Sequence, residues 1–275
     1  MTSEMQRRPA RLRLFPLSKR LLARTHRLIE ALHTGFWLGF LDPDRLNVIG
    51  SQHYEAAEMY QTPAYNLLGF LPWESDLMRD YFTECRSVLV AAACGGREMI
   101  ALAKAGVQVE GFECNPVLVE KCTEFLAEAG VSGRILNAEP DQVPSGLQKY
   151  DGAIVGYGAL AHIVGRTMRT NFLRDLKNHL HPRAPLMLSV GRRPEGALYY
   201  KWIYQIARAI RFLRRSPDAI ELGDDLLDCF THRFVQSEIR SELQEAGFTV
   251  LVSVEGPEIY AVGTPDIRID AEAKA

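Results

Sequence analysis

From Ser87 onward the apolar positions of the chain keep changing period. Short unbroken blocks such as "SVLVAAA", "VQVEGF", "YDGAIV" and "PLMLSV" have the length and texture of buried strands. The stretches between them space their apolar residues as a helix does. Met168, Phe172, Leu176 and Leu180, for instance, recur every four residues and give one apolar face. The pattern predicts strands at Val88 to Ala93, Val107 to Phe112 with Glu113 at its end, Arg134 to Ala138, Tyr150 to Gly156, and Pro185 to Val190. Strands alternating with helices are the signature of parallel β-α-β units. Local punctuation fits: Gly106 and Gly130 stand where helices stop, and Asn115-Pro116 has the form of a cap followed by a first helical turn. A helical insert is expected from roughly Gly196 to Phe230, then a helix through Val235, Ile239 and Leu243 that ends at Gly247. "FTVLVSVEGPEIYAVGT" then reads as two strands turning at Gly256-Pro257, an antiparallel hairpin at one sheet edge.

Before Ser87 the pattern is helical but irregular and rich in aromatic residues, as in "TGFWLGF" and "YNLLGFLPWE", with breaks at Asp42-Pro43 and Leu71-Pro72. The predicted architecture is α/β: a doubly wound, seven-stranded, mostly parallel sheet with a terminal antiparallel hairpin, an N-terminal helical cap and a helical insert after strand five. In segments, 1–20 is a basic flexible arm, 21–86 the cap, 87–195 with 231–265 the core, 196–230 the insert or lid, and 266–275 a loose tail.

Composition removes some function classes. A chain of 275 residues, 47% hydrophobic and 24% charged, has material for one large domain with an appendage. A net charge of −2 gives no global case for nucleic acid or an acidic membrane. Five cysteines without a C-x-x-C pair argue against a disulfide framework and a zinc site, so no metal is expected and a reducing, cytoplasmic setting fits. No apolar run approaches the roughly 20 residues that cross a bilayer. The first 30 residues stand apart, with eight Lys or Arg against Glu4 and Glu30; a solvated basic arm leading into a helix is expected, with a transit peptide as the alternative.

Candidate chemistry sits at the strand ends. Gly95-Gly96 follows the first strand and opens a helix, so that a ligand can lie against backbone and its N–H groups. Glu113 closes the neighbouring strand 17 residues after Gly96, where a carboxylate can accept hydrogen bonds from a ribose diol. In an open parallel sheet both positions face the ligand crevice. Together they describe a nucleoside-containing ligand held between strands one and two.

The ordered set "VLVAAACGGREMIALAKAG", "VEGFECNP", "LNAEPDQVP" and "YDGAIVGYGALAHI" resembles the class I S-adenosylmethionine-dependent methyltransferases of the small-molecule type, over roughly Val88 to Gly263. The resemblance implies S-adenosylmethionine as cofactor, with Ala92, Gly95, Gly96, Glu113, Cys114, Glu139 (or Asp141) and Gly156 around it. It also marks a departure. Aligned on Gly96, the acid of the family's first motif becomes Val90, and two of its glycines become Ala92 and Cys94. The amino group that the acid normally helps to hold then falls to carbonyls such as those of Ala91 and Gly156, or the pocket has changed its ligand.

His162, just past strand four, is the candidate general base; local packing at a helix start is the competing role. His232 is a further candidate of the same kind. Tyr157 and, from the N-terminal segment, Tyr60, Tyr65, Phe70 and Trp73 are candidates to line an acceptor pocket or to form the core of the cap. The insert carries an apolar stripe at Ile203, Ile206, Ile210 and Leu213 beside Lys201, Arg208, Arg211, Arg214 and Arg215; a helix docked on its own sheet is expected, peripheral membrane contact being the alternative. "GYGALA" lacks the Asn or Asp, prolines and aromatic of amino-methylating nucleic-acid enzymes, and clustered acidic ligands are absent after strands four and five. A small organic acceptor follows, with no nucleic-acid partner and a homodimer open. The alternatives are a non-catalytic cofactor-binding relative and a nicotinamide-dependent oxidoreductase, whose G-x-G-x-x-G does not occur after strand one.

Overall fold

A computed structural model describes residues 10–265, with side chains from residue 15. The tail expected at 266–275 and the first nine residues of the expected arm lie outside the described residues. Residues 10–20 are not an extended arm: they are the first turns of a long helix, α1 (Ala10–Phe40). Three shorter helices follow, α2 (Pro43–Ala56), α3 (Pro63–Asn66) and α4 (Pro72–Tyr81), each opening with proline at its first position, where the missing N–H costs nothing.

The core then alternates: β1 (Ser87–Ala91), α5 (Arg97–Lys104), β2 (Gln108–Glu113), α6 (Pro116–Glu128), β3 (Arg134–Asn137), β4 (Gly152–Val155), α7 (Arg166–Asn178) and β5 (Leu186–Gly191). After it come α8 (Leu198–Arg214), β6 (Asp224–Leu226), β7 (Phe230–His232), α9 (Gln236–Glu245), β8 (Phe248–Glu255) and β9 (Glu258–Pro265). The seven-stranded sheet has the order β3-β2-β1-β4-β5-β9-β8, parallel except where β9 pairs antiparallel with β5 and β8. The order reverses between β1 and β4, which makes the C-terminal ends of these strands the place for a ligand.

Alternation along β1 fixes the layers. Leu89 and Ala91 face one core, where Phe172, Leu173 and Leu176 of α7 and Ile239 and Leu243 of α9 pack. Val88 and Val90 face the other, against Leu77 of α4, Met99 and Ile100 of α5, and Phe125 and Leu126 of α6. Every described strand residue from Val88 to Ala91 is buried, as a strand covered on both faces requires. Gly106 and Gly130 adopt positive φ just past α5 and α6, and the Asn115 side chain accepts from the N–H groups of Val117 and Leu118. On α7 the expected stripe shifts: Met168 is exposed, while Arg169 is fully buried between Glu242 of α9 and Glu221 of the insert at 2.7 and 2.8 Å. A bidentate guanidinium takes the place of an apolar contact.

Two regions depart from expectation. The insert is not wholly helical, since after α8 it returns as the antiparallel ribbon β6–β7. The N-terminal cap divides in two: α1 lies against α8, and Ala31 and Leu38 of α1 and Ile203 and Ala207 of α8 form a separate core that Leu46 of α2 and Phe230 of β7 complete.

Candidate active site

The backbone past β1 sets the geometry. Ala92 and Cys94 both adopt positive φ, +52° and +47°, a conformation that costs a side-chain-bearing residue free energy and recurs at ligand sites. Two positions where the resemblance expects glycine thus keep a glycine-like backbone while carrying a methyl and a thiol. The turn brings the Cys94 N–H to the Glu113 carboxylate at 2.9 Å. Glu113 is buried and also accepts from the N–H groups of Cys114 and Asn115, at 2.8 and 3.0 Å. One carboxylate therefore clasps the β1–α5 loop to the β2–α6 turn. Three of its roughly four acceptor positions are filled, leaving one on Oε2 for a ligand rather than the pair that a diol would use.

Around this clasp lies the principal cavity, at the C-terminal ends of β1, β2 and β4. Ala92, Glu113, Cys114 and Glu139 line it, and so do Tyr65, Tyr157 and His162. Glu139 is exposed at the rim, whereas Asp141 reaches inward, accepts from the Asn47 amide of α2 at 3.1 Å, and has its carboxyl pushed up by burial. The remaining expected positions do not line the cavity. A Cβ on Gly95 would fall 2.4 Å from Asn66 Oδ1 and 2.5 Å from the Tyr60 carbonyl, so this glycine makes room for the N-terminal segment rather than for a ligand. Gly96, at φ +93°, leaves space for Cys122 of α6, and its N–H is already donated to the Ala93 carbonyl. Gly156 lets β4 pass the Ala92 carbonyl, which a Cβ would meet at 2.2 Å. Trp73 does not line the cavity; it stacks on Tyr260 at 5.0 Å, and Phe70 packs in the same core. His232 is buried in the ribbon on Asp224 at 2.8 Å, away from the cavity.

The lid is aromatic. Tyr54, Tyr60 and Tyr65 form a chain of rings with centroids 5.3 Å apart, and Tyr54 continues to His162. His162 Nδ1 stands 2.7 Å from the Phe230 carbonyl, which can only accept, so Nδ1 carries the proton. Its Nε2 lone pair then receives the Tyr54 hydroxyl at 2.8 Å. Burial lowers the His162 pKa and raises that of Tyr54, which keeps both groups neutral. Sequence reasoning passed over Tyr54, since nothing local distinguishes it from the other tyrosines.

Opposite the clasp stand charges that the sequence did not single out. Arg97 and Glu98, in the first turn of α5, line the cavity, and both are buried. Arg97 makes a two-pronged bridge to Glu74 at 2.6 and 2.7 Å and a third contact to Glu98 at 2.6 Å. Burial raises the Glu98 carboxyl pKa against the opposing pull of Arg97. Two buried polar atoms among the lining residues have no partner, Arg97 Nε and Asn66 Oδ1. A carboxylate, a guanidinium and spare donor and acceptor atoms are the equipment for an amino-acid zwitterion. Among the described residues no cluster suited to a metal ion occurs.

No protein-family model matches the chain, and no curated protein does. Solved structures do. A 1,6-didemethyltoxoflavin N1-methyltransferase from Burkholderia thailandensis, solved with 1,6-didemethyltoxoflavin and S-adenosylhomocysteine, aligns at a TM-score of 0.56 and 15% identity over 82% of this chain and 92% of its own. A methyltransferase from Methanosarcina mazei aligns at 0.54 and 16% identity, covering 72% of this chain and 99% of its own. An amino pentose methyltransferase from Micromonospora echinaspora, solved with S-adenosylmethionine, aligns at 0.51 and 15% identity over 70% and 88%. The chain has the class I methyltransferase fold.

Proposed function

We propose that this chain, built on the class I methyltransferase fold, binds S-adenosylmethionine and transfers its methyl group to a small organic acceptor. The observation that carries the reading is the Glu113 clasp, a buried carboxylate opening onto a cavity where the strand order reverses. The residues fit the cofactor at both ends. Glu113 offers its remaining lone pair to the ribose, and Asn47, Asp141 and Gln142 surround the nucleoside side. Arg97 and Glu98 meet the amino-acid end, standing in for the acid absent at Val90. Bound there, the cofactor supplies an electrophilic methyl group. The protein's own contribution is to position the acceptor and exclude water, and well-oriented reactants can gain roughly 7–11 kcal/mol in barrier. Tyr54, Tyr60 and Tyr65 cover the cavity for that purpose. His162, neutral with its lone pair on the Tyr54 hydroxyl, is the proposed acceptor of a proton from a protonated nucleophile, directly or through Tyr54.

The edge pair β8–β9 is antiparallel, unlike the parallel dinucleotide-binding order, and speaks against a nicotinamide oxidoreductase. The test is thermal melting of the purified chain with S-adenosylmethionine, S-adenosylhomocysteine and NAD. Ligand at 100 times its Kd should add about 2.7 kcal/mol of stability. Stabilisation by NAD alone refutes the reading, and stabilisation by the sulfonium pair without turnover on any small acceptor leaves only the non-catalytic relative.

A further inference from the structure

A large apolar face of this protein is turned to solvent on the α1–α8 pair. The two helices run parallel in constant register: Gly35 abuts Ile203 and Ile206, and Gly39 abuts Ala207 and Ile210. Leu198, the first residue of α8, therefore falls opposite Arg27, and the turns of α1 before it overhang the body by roughly 25 Å at 1.5 Å per residue. Every residue from Phe15 to Ile29 is exposed.

On both helices the face against the body holds small or branched residues, Ala31, Leu38, Ile203 and Ala207. The opposite faces hold the large ones. On α1 these are Phe15, Leu22, Ile29 and Phe36, spaced by sevens along one side; on α8 they are Leu198, Trp202, Phe212 and Leu213, the last two 82% and 79% exposed. With the helices side by side and their inner faces on the same body, the outer faces look the same way and form one apolar raft. Contiguous exposed apolar surface of this kind marks an interaction site.

Charge points to the occupant. In residues 10–40 six Lys or Arg (Arg11, Arg13, Lys19, Arg20, Arg24, Arg27) stand against one acid, Glu30, in a chain whose net charge is −2. Lys19, Arg20, Arg24 and Arg27 are exposed along the overhang, and Lys201, Arg208 and Arg215 are exposed on α8. A second copy docked on the raft would bring like charges together, whereas an anionic bilayer surface matches cations, apolar side chains and the interfacial Trp202 at once.

We propose that the α1–α8 raft is a docking face for an anionic lipid surface, with the apolar side chains entering the headgroup region and the exposed Lys19, Lys201 and Arg208 beside them meeting lipid phosphates. The proposal stands independently of the methyl-transfer reading.

The experiment is flotation of the full chain with vesicles of phosphatidylcholine alone and of phosphatidylcholine mixed with phosphatidylglycerol. Binding to the anionic vesicles is expected at least about tenfold stronger, and it should weaken as salt is raised. Two of the three tryptophans, Trp37 and Trp202, belong to the helix pair, so emission should shift to the blue on binding. Leu22→Asp with Phe36→Asp should abolish flotation, and Lys19→Glu with Arg208→Glu should reduce it on anionic vesicles about tenfold. All four residues are exposed, so unchanged melting temperatures would show the variants folded. Equal flotation on both vesicle types, or variants that float like the parent, overturns the proposal. So does a chain that ignores both vesicles and elutes as a dimer which Phe36→Asp dissociates.

Discussion

Replacing Glu113 by Gln tests the clasp without any ligand present. The substitution keeps the size of the side chain but exchanges a carboxylate receiving three backbone N–H groups, from Cys94, Cys114 and Asn115, for an amide with one oxygen. Whichever way the amide turns, its NH2 faces at least one of those donors. A hydrogen bond to a charged acceptor contributes about 1.5–3 kcal/mol against about 1 for a neutral one, and a buried unpaired donor costs about 1–3 kcal/mol. Two weakened bonds and one stranded donor sum to about 2–7 kcal/mol. At the about 2–4 °C per kcal/mol usual for domains of this size, the melting temperature should fall by about 4–28 °C. Scanning calorimetry on the cofactor-free protein, with urea unfolding as the second measure, reads this directly. A Glu113→Gln protein melting within about 2 °C of the parent would falsify the clasp, because no carboxylate so engaged could be neutralised at so little cost.

Further outcomes follow from other parts of the site. Glu98→Gln should weaken S-adenosylhomocysteine about 10–100-fold and leave 5′-methylthioadenosine, which has no amino-acid end, unchanged, the loss matching one hydrogen-bonded charge; calorimetric titration showing equal losses for both ligands would remove Glu98 from that end. His162 has a folded pKa below the ordinary value of about 6.5, so the unfolded chain binds this proton more tightly. Stability should fall as pH drops below about 6.5 and level off beneath the folded value; His162→Gln should flatten that segment of a melting-temperature profile, and an unaltered slope would show that another group carries it. Gly39→Val should destabilise by at least about 1–3 kcal/mol, since its Cβ would sit 2.7 Å from that of Ile210; a neutral effect in urea unfolding would refute the close helix pairing.

The parallel core was legible because its information is local. Asn115-Pro116 caps α6, and Gly106 and Gly130 end helices at positive φ, each within a few residues of the pattern that announces it. The pairing of α1 with α8 was hidden for the opposite reason. Hydropathy directs the large side chains of α1 inward, yet the structure buries Ala31, Thr34 and Gly35 and exposes Leu21, Leu22 and Phe36. Close approach to α8 demands missing side chains at Gly35 and Gly39, and no periodicity reports that. The cavity shows the same division. Strand ends gave Glu113, but whether Trp73 or Tyr54 reaches the site depends on how α2–α4 fold back across the sheet. The sequence offers Gly95 and Gly96 as space for a ligand and Gly156 as a cofactor-binding position, whereas the atoms that a Cβ would meet at all three belong to the protein itself.

The valine at position 90 now has a physical account. Its side chain alternates to the fully buried face shared with Met99 and Ile100, where an ionised carboxylate would lack any partner. Once that face is apolar, an acid serving the cavity must come from elsewhere and bring its own counter-charge. Glu98 does so from the first turn of α5, where the helix N-terminus favours negative charge and Arg97, itself held by Glu74, lies 2.6 Å away. Burial still holds the Glu98 carboxyl above its usual pKa, so the arrangement is poised: an incoming ammonium supplies the positive charge that burial makes scarce. Under the proposed reading Glu98 takes the part of the acid that β1 lacks, and the buried Glu74–Arg97–Glu98 bridge is what holds it there.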